Sequence, residues 1–246
     1  MDKYKRVKEL IEEAKTITIL SGAGVSTASG IPDFRSRGGL YGNIAPEEIL
    51  SRGNFERNNE QFWKDYKEIF GEKINSEEVK PNIAHKFPKY LKELGKKVYV
   101  ITQNVDGLYD GFVEEENLIE YHGNIKKLIC KKCKKEYEAK EYLKEEEIPK
   151  CEICKEILNV NVVLFGDDVR EHYKAWEMVQ DSDVIFVMGT KLAVQPFSNL
   201  ITGNRTRKNI LLNNENIYDK RFEVKLLQDI SKSIEKIIKT RKEEQK

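Results

Sequence analysis

Two cysteine pairs, "CKKC" at 130–133 and "CEIC" at 151–154, stand 17 residues apart. Thiolates at this spacing close a tetrahedron around zinc, and four of them leave no open position for a catalytic water. Cys130, Cys133, Cys151 and Cys154 are therefore expected to hold a structural zinc ion. A second stretch, "TITILSGAGVSTASGIPDFRS" (16–36), starts β-branched and apolar, breaks at Gly22 and Gly24, and continues in small and hydroxyl residues. Glycines at the end of a strand permit a tight turn and let a phosphate approach main-chain N–H groups, whose dipoles favour negative charge. A lone G-x-G is a weak signal. The dinucleotide fingerprint has a third glycine where this chain has Thr27, which disfavours an ordinary nicotinamide dehydrogenase.

The elements that must carry these residues follow from hydrophobic periodicity. Residues 3–15 read as a charged amphipathic helix, and 16–20 as a buried strand running into the glycine turn. "AHKFPKYLKELG" (84–95) reads as a helix closed by Gly95, and "KVYVITQN" (97–104) as the strand after it. Two further apolar strands, "DVIFVMGT" (183–190) and "NILLNN" (209–214), end in polar or glycine residues, as strands do at the carboxyl edge of a parallel sheet. "LLQDISKSIEKIIKT" closes the chain as a helix before a solvated tail. The stretch 46–70 favours helix and carries Phe55, Phe62, Trp63, Tyr66 and Phe70, an aromatic set suited to the core of a small helical unit.

The expected fold is α/β: a doubly wound, Rossmann-like parallel sheet with a smaller helical plus zinc-ribbon module formed by two insertions. Residues 1–37, 77–124 and 158–246 make the sheet domain, 38–76 the helical insertion and 125–157 the zinc-binding insertion. Ligands of such sheets lie beyond the carboxyl ends of the strands.

A chain of 246 residues can bury a full core without disulfides. Lys plus Arg, 43, nearly cancel Asp plus Glu, 42, so no global field marks nucleic acid or an anionic membrane as partner. The zinc insertion is locally basic at Lys126, Lys127, Lys131, Lys132, Lys134 and Lys135. Yet "EYEAKEYLKEEE" follows at once, which makes a solvated face of mixed charge. The N-terminal "MDKYKRVKELIEEAKT" lacks the apolar core of a secretory signal, and no apolar run reaches the length of a membrane span. A cytoplasmic monomer is the expectation. In that compartment paired cysteines hold metal in preference to disulfides.

"GAGVSTASGIPDFRS" (22–36) resembles the signature of the sirtuins, NAD-dependent protein lysine deacylases. The resemblance continues in the family's order through "TQNVDGL" (102–108), "YHGN" (121–124), both cysteine pairs, "VVLFGD" (162–167), "GTKLAVQP" (189–196) and "LNNE" (212–215). It implies NAD with its pyrophosphate on Gly22, Ala23 and Gly24, Thr27 and Arg35 adding donors. Phe34 would shield the reacting ribose carbon from water. Ile31, Asp33, Asn104, Val105 and Asp106, with Gln103 beside them, would receive the carboxamide end of NAD, since a carboxylate and an amide together offer what a neutral amide needs. Asp33 and Asp106 would equally suit turn or cap positions. Gly189 and Thr190 would flank the adenosine, Lys191 would instead reach a phosphate, Asn213 and Glu215 hold ribose hydroxyls, and Asp229 and Ile230 border the adenine.

His122, with Asn104, is the implied catalytic centre; an imidazole titrates near working pH and suits a general base. The family chemistry sends the acyl oxygen of the substrate to C1′ of the ribose as nicotinamide leaves. His122 then activates a ribose hydroxyl, and water releases lysine and O-acyl-ADP-ribose. His85 reads as packing or capping and His172 as surface. An extended acyl-lysine peptide would add a strand between 163–167 and 193–195, touching Val163, Phe165, Gly166 and Val194.

The chain departs from the family pattern at Lys191, where serine is usual, at Tyr109 in place of a histidine, at Asn159 and Val160 where Arg-Pro is common, and at Asp167 in place of glutamate. "YKEIF" (66–70) lacks the arginine of relatives that take acidic acyl groups, so acetyl is the default. The competing activity is NAD glycohydrolase or protein ADP-ribosyltransferase on the same cofactor site. A non-catalytic NAD-sensing or nucleic-acid-binding module would tolerate loss of Asn104 or His122, and both are present.

Overall fold

The computed structural model describes residues 2–32, 46–71, 76, 78–202 and 208–243. Helix α1 (Lys3–Glu13) leads into strand β1 (Thr16–Ser21), and α2 (Pro46–Ile49), α3 (Arg52–Arg57) and α4 (Asn59–Phe70) follow. Next come α5 (Ile83–Glu93), β2 (Lys97–Thr102), β3 (Leu118–Glu120), β4 (Gly123–Ile129), β5 (Glu136–Glu138) and α6 (Ala139–Leu143). The chain closes with β6 (Asn159–Val162), α7 (His172–Gln180), β7 (Val184–Met188), β8 (Lys208–Asn213), β9 (Phe222–Leu227) and α8 (Ile230–Glu243). Among the described residues no helix is long and apolar enough to cross a membrane.

β1 is buried along its whole length, as a strand must be when helices cover both faces of its sheet. It lies inside a six-stranded parallel sheet of order β3-β2-β1-β7-β8-β9. The order runs outward in both directions from β1 and β7, so the topological switch falls between them. Alternating side chains serve the two faces. Ile17 and Ile19 pack with α1, α5 and α8 through Val7, Leu10, Phe87, Leu91 and Ile234. Leu20 faces α7 and the 197–201 turn with Ile185, Val187 and Phe197.

Local signals place the helix ends. Asp2 caps α1 by accepting from Tyr4 N–H. Asn82 caps α5 in a reciprocal box, its side chain accepting from Ala84 N–H while His85 Nδ1 accepts from Asn82 N–H. Gly95 takes φ +77 after the last turn of α5, the left-handed end that glycine supplies most readily.

The second unit is an antiparallel sheet of order β5-β4-β6 with α2 to α4 and α6. Its core unites both insertions: Phe55, Phe62, Trp63, Tyr66 and Phe70 pack with Leu128, Tyr137, Leu158 and Val160. The rings meet edge-on or tilted, Phe55 to Phe62 at 5.0 Å and Tyr66 to Phe70 at 4.8 Å. β6 supplies the third strand from beyond the 125–157 stretch, pairing with β4 at Ile129 and Asn159.

The loops after β1 and β7 touch backbone to backbone. Gly24 N–H donates to Gly189 O at 2.8 Å, and a Cβ on Gly24 would stand 2.7 Å from Gly189 Cα. Gly189 has φ +61, and a Cβ there would stand 2.5 Å from Val25 N, whereas one on Gly95 would meet open space. Gly95→Ala is predicted to cost about 1–2 kcal/mol for its left-handed backbone alone. Gly189→Ala carries that cost and a steric one besides, so urea unfolding should show the larger loss for it. Equal losses would contradict the close approach.

Candidate active site

Three strand ends meet at the switch point. Past β1 the chain turns through Gly22, Ala23 and Gly24; past β2 come Gln103 to Asp106; past β7, Gly189 and Thr190. The N–H groups of Gly22 and Gly24, expected to face a pyrophosphate, instead donate to Met188 O at 3.1 Å and Gly189 O at 2.8 Å. Pairing between the β1 and β7 ends continues past the strands and uses them. Ala23 opens a 310 turn, where no carbonyl of the turn can take its N–H. The Thr27 hydroxyl donates to Gly24 O at 3.0 Å. Asp33, Phe34 and Arg35 lie outside the described residues.

A small cleft opens here, lined by Ala23, Ser26, Ile31, Pro32, Asn104, Val105 and Asp106. Asn104 Nδ2 donates to Gly22 O at 3.2 Å and Ser26 Oγ at 2.9 Å, while its Oδ1 is buried with no partner among the described residues. An orphaned buried acceptor costs about 1–3 kcal/mol, and a donor on a bound ligand relieves it. Amide, carboxylate and close-packed backbone thus fit the carboxamide end of NAD.

Ser26 is the centre of a buried network that the sequence reading did not single out. Its Oγ donates to Asp106 Oδ2 at 2.7 Å and contacts His85 Nε2 at 3.3 Å. Because His85 Nδ1 accepts from Asn82 N–H, the neutral ring carries its proton on Nε2 and donates it to Ser26. His85 is thus a cap and more. Burial, with Lys126 adding to it, pulls His85 down to about 4. Burial pushes the Asp106 carboxyl above the usual range, opposed by its bonds from Ser26 and the Leu108 N–H. Tyr109 lies edge-on to His85 with ring centroids 5.0 Å apart.

His122 follows β3 and keeps a half-buried ring. Its Nδ1 lies 3.1 Å from Gln103 O; a carbonyl only accepts, so the neutral ring holds its proton on Nδ1 and leaves the Nε2 lone pair available. Burial lowers its pKa, and the Gln103 bond opposes that. Val163 N–H donates to His122 O at 2.8 Å, tying the 163–167 segment to the turn after β3. His172, expected at the surface, is partly buried instead, its Nδ1 2.6 Å from the Tyr121 hydroxyl. The turn into α7 folds it under β3, which one-dimensional spacing does not convey. Glu120 was also missed; burial pushes it up to about 7 beside Asn124.

Where the adenosine is expected, Thr190 Oγ1 donates to Gln103 Oε1 at 2.9 Å. Asn213 Nδ2 donates to Glu215 O at 2.9 Å. Lys191 forms an exposed ion pair with the Glu215 carboxylate at 3.0 Å, a partner its position alone did not indicate. Asp229 Oδ1 accepts from Lys232 N–H at the start of α8, and Ile230 packs in the core. The Ile230 side chain is therefore occupied, leaving its backbone for any contact with adenine, whereas Asp229 stays exposed. Along the groove Val163 and Val194 are half-buried, Gly166 is exposed, and Phe165 keeps 40% of its surface.

The four cysteine Sγ atoms lie within 4.8 Å of one another, with Cys133 and Cys151 at 3.7 Å. A tetrahedron with Zn–S bonds of about 2.3 Å has edges of about 3.8 Å, whereas a disulfide needs about 2 Å. The donor set fits zinc. Two like turns build it: Lys134 N–H donates to Cys130 O and Lys155 N–H to Cys151 O, with φ 63 and 60 at the lysines. The Tyr137 hydroxyl, 3.0 Å from Cys151 Sγ, supports the cluster from the core.

Two stability predictions follow from these burials. His85 sits near 4 in the fold and near 6.5 in the unfolded chain, so the unfolded chain binds the extra proton as pH falls. Its contribution is complete above about 6.5 and is lost towards about 4. Over that interval His85→Gln should lose about 3 kcal/mol less than the native chain; parallel urea-unfolding curves would refute the assignment. For the metal, purified protein should carry about one zinc per chain, with chelation lowering the melting temperature. Metal-free protein of equal stability would contradict a structural zinc.

The Sir2 family model matches residues 22–196. An NAD-dependent protein deacetylase of Bacillus anthracis is 45% identical over 197 residues, covering 80% of each chain. One of Clostridium tetani is 37% identical over 233 residues, 91% of this chain and 92% of that one. A solved structure described as "Sir2-p53 peptide-NAD+" superposes with a TM-score of 0.82 at 28% identity, over 97% of this chain and 98% of that one. Another, "The Structural basis of Sirtuin Substrate Affinity", gives 0.83 at 30% identity over 96% and 98%. The matched span runs from the glycine turn through the zinc cluster to the groove, and on that agreement of sequence and fold the chain belongs to the Sir2 family.

Proposed function

We infer that this chain is an NAD-dependent protein deacetylase, removing acetyl groups from lysines and yielding nicotinamide, O-acetyl-ADP-ribose and free lysine. The observation that carries the reading is the His122 ring, its Nδ1 proton held by Gln103 O and its Nε2 without a hydrogen bond among the described residues, beside a cleft whose buried Asn104 Oδ1 awaits a donor. Bound NAD supplies the activated ribose carbon that receives the acyl oxygen.

The chain's own residues do the rest. His122 Nε2 takes the proton of a ribose hydroxyl. Asn104 and Asp106, held in register through Ser26, orient the carboxamide end, with Ile31 and Val105 as apolar walls. Ala23 and Thr27 serve the pyrophosphate; Thr190, Asn213 and Glu215 serve the adenosine. Val163, Phe165, Gly166 and Val194 receive the acyl-lysine peptide, whose main chain adds between the two loops. Asp33, Phe34 and Arg35 keep the roles their motif implies. We assign the zinc a structural role, since four thiolates saturate it.

All of these residues come from one chain, so a monomer suffices. Four cysteines held in one metal cluster suit a reducing compartment, and we place the protein in the cytoplasm.

Incubation with NAD and an acetyl-lysine peptide, products read by mass, tests the reading. O-acetyl-ADP-ribose supports it; free or protein-linked ADP-ribose identifies the glycohydrolase or transferase alternative, and unconsumed NAD sinks both. His122→Ala should lower kcat by about 10² to 10⁴ with the circular dichroism unchanged. Because burial lowers His122, whose base form must be unprotonated, kcat/KM should climb with pH and level off below the ordinary histidine value of about 6.5. A limb centred well above that value would remove His122 from the role.

A further inference from the structure

The helical insertion grips the substrate loop through one side chain that the proposed chemistry does not use. Arg52, at the start of α3, donates from Nε to Asp167 Oδ1 at 2.8 Å and from Nη2 to Oδ2 at 2.8 Å. Its Nη1 reaches Asn159 Oδ1 at 3.2 Å, and the guanidinium carbon lies 5.1 Å over the Phe55 ring. The main chains pair alongside: Phe165 N–H donates to Leu50 O and Arg52 N–H to Phe165 O, each at 2.9 Å. Asp167 also folds its own loop, accepting from Leu164 N–H at 3.1 Å and donating its N–H to Leu164 O at 2.9 Å. One carboxylate thus fixes both the shape of the 164–167 turn and its attachment to α3.

The pair is a bidentate fork, the geometry that distinguishes arginine from lysine. Its side chains keep 18% and 23% of their surface, so solvent screens it less than an exposed pair. Burial alone would raise the Asp167 carboxyl; the Arg52 bonds, the Leu164 N–H and the charge of Arg52 together outweigh that and hold it below the usual range. Two departures noted in the sequence meet here. Asn159 is a neutral acceptor where Arg-Pro is common, and an arginine there would set a second guanidinium against Arg52. The fork for Asp167 therefore arrives from the other insertion.

We propose that Arg52 is a positioning residue for the acyl-peptide: through Asp167 it holds Phe165 and Gly166 in the shape the substrate main chain pairs with. This rests on the deacetylase reading of the groove. Arg52 touches neither cofactor nor reacting atoms, so its loss weakens peptide binding and leaves the chemical step alone.

In the full-length, zinc-loaded protein, Arg52→Met is expected to raise KM for an acetyl-lysine peptide about tenfold or more, the size of a lost charge-assisted contact. Over the same comparison kcat and KM for NAD should change less than about twofold. Arg52→Lys, which keeps the charge and loses the fork, should fall between, and it carries the test if Arg52→Met fails to fold. Amide hydrogen exchange gives a readout independent of turnover: Phe165 N–H should exchange faster in either variant while β1 and β2 stay protected. An unchanged peptide KM, a uniform fall in kcat alongside melting temperature, or an equally protected Phe165 amide overturns the proposal. Native protein that deacetylates nothing overturns the deacetylase reading and the peptide role with it, a result seen before any variant is made.

Discussion

The molecule depends on one backbone contact. Gly24 and Gly189 approach so closely that neither tolerates a Cβ, and their hydrogen bond carries the β1 to β7 pairing past the strand ends. The site is assembled around that junction because it is where the strand order reverses. A side chain at either glycine would separate the loops that carry Ala23, Thr190 and, across the cleft, Asn104. The glycines act less as a phosphate cradle in themselves than as the hinge pin that keeps three strand ends together.

Around this junction burial sets the protonation states. His122 and His85 are both depressed by loss of water, and each has one nitrogen engaged by a main-chain group. The tautomers are therefore opposite: His122 presents a lone pair at Nε2, whereas His85 donates from Nε2 into the Ser26 to Asp106 chain. Two residues of one type take different parts because the backbone group beside each differs. Asn104 completes the arrangement with a buried acceptor that has no partner among the described residues.

The two insertions act as one body. The aromatic helices and the cysteine ribbon share a core, so the cysteine cluster is built into the surface against which the 164–167 loop rests. Tyr137 joins them physically, packed in that core while its hydroxyl reaches Cys151. Arg52 extends the link from the helices to Asp167. Zinc, core and groove are mechanically continuous although far apart in sequence.

Much of this was legible in the chain. The cysteine spacing, the strand into Gly22 and Gly24, and the apolar runs at 97–104, 183–190 and 209–214 follow from local geometry that repeats wherever such residues recur. The alternation of Ile17, Ile19 and Leu20 between two helical layers is likewise a property of period two. What pairwise contact decides was not legible: the Gly22 and Gly24 amides turning to β7, His172 reaching Tyr121, Ser26 joining His85 to Asp106, and Arg52 finding Asp167. These join residues separated by 51 to 166 positions, and no local preference encodes them. By itself the sequence determined which residues could do chemistry and which elements would bear them, because propensity and motif are short-range. Only the tertiary structure decided proton positions, shifted pKa values and the grip of Arg52 on the 164–167 loop, because these arise from burial and from partners brought together by the fold.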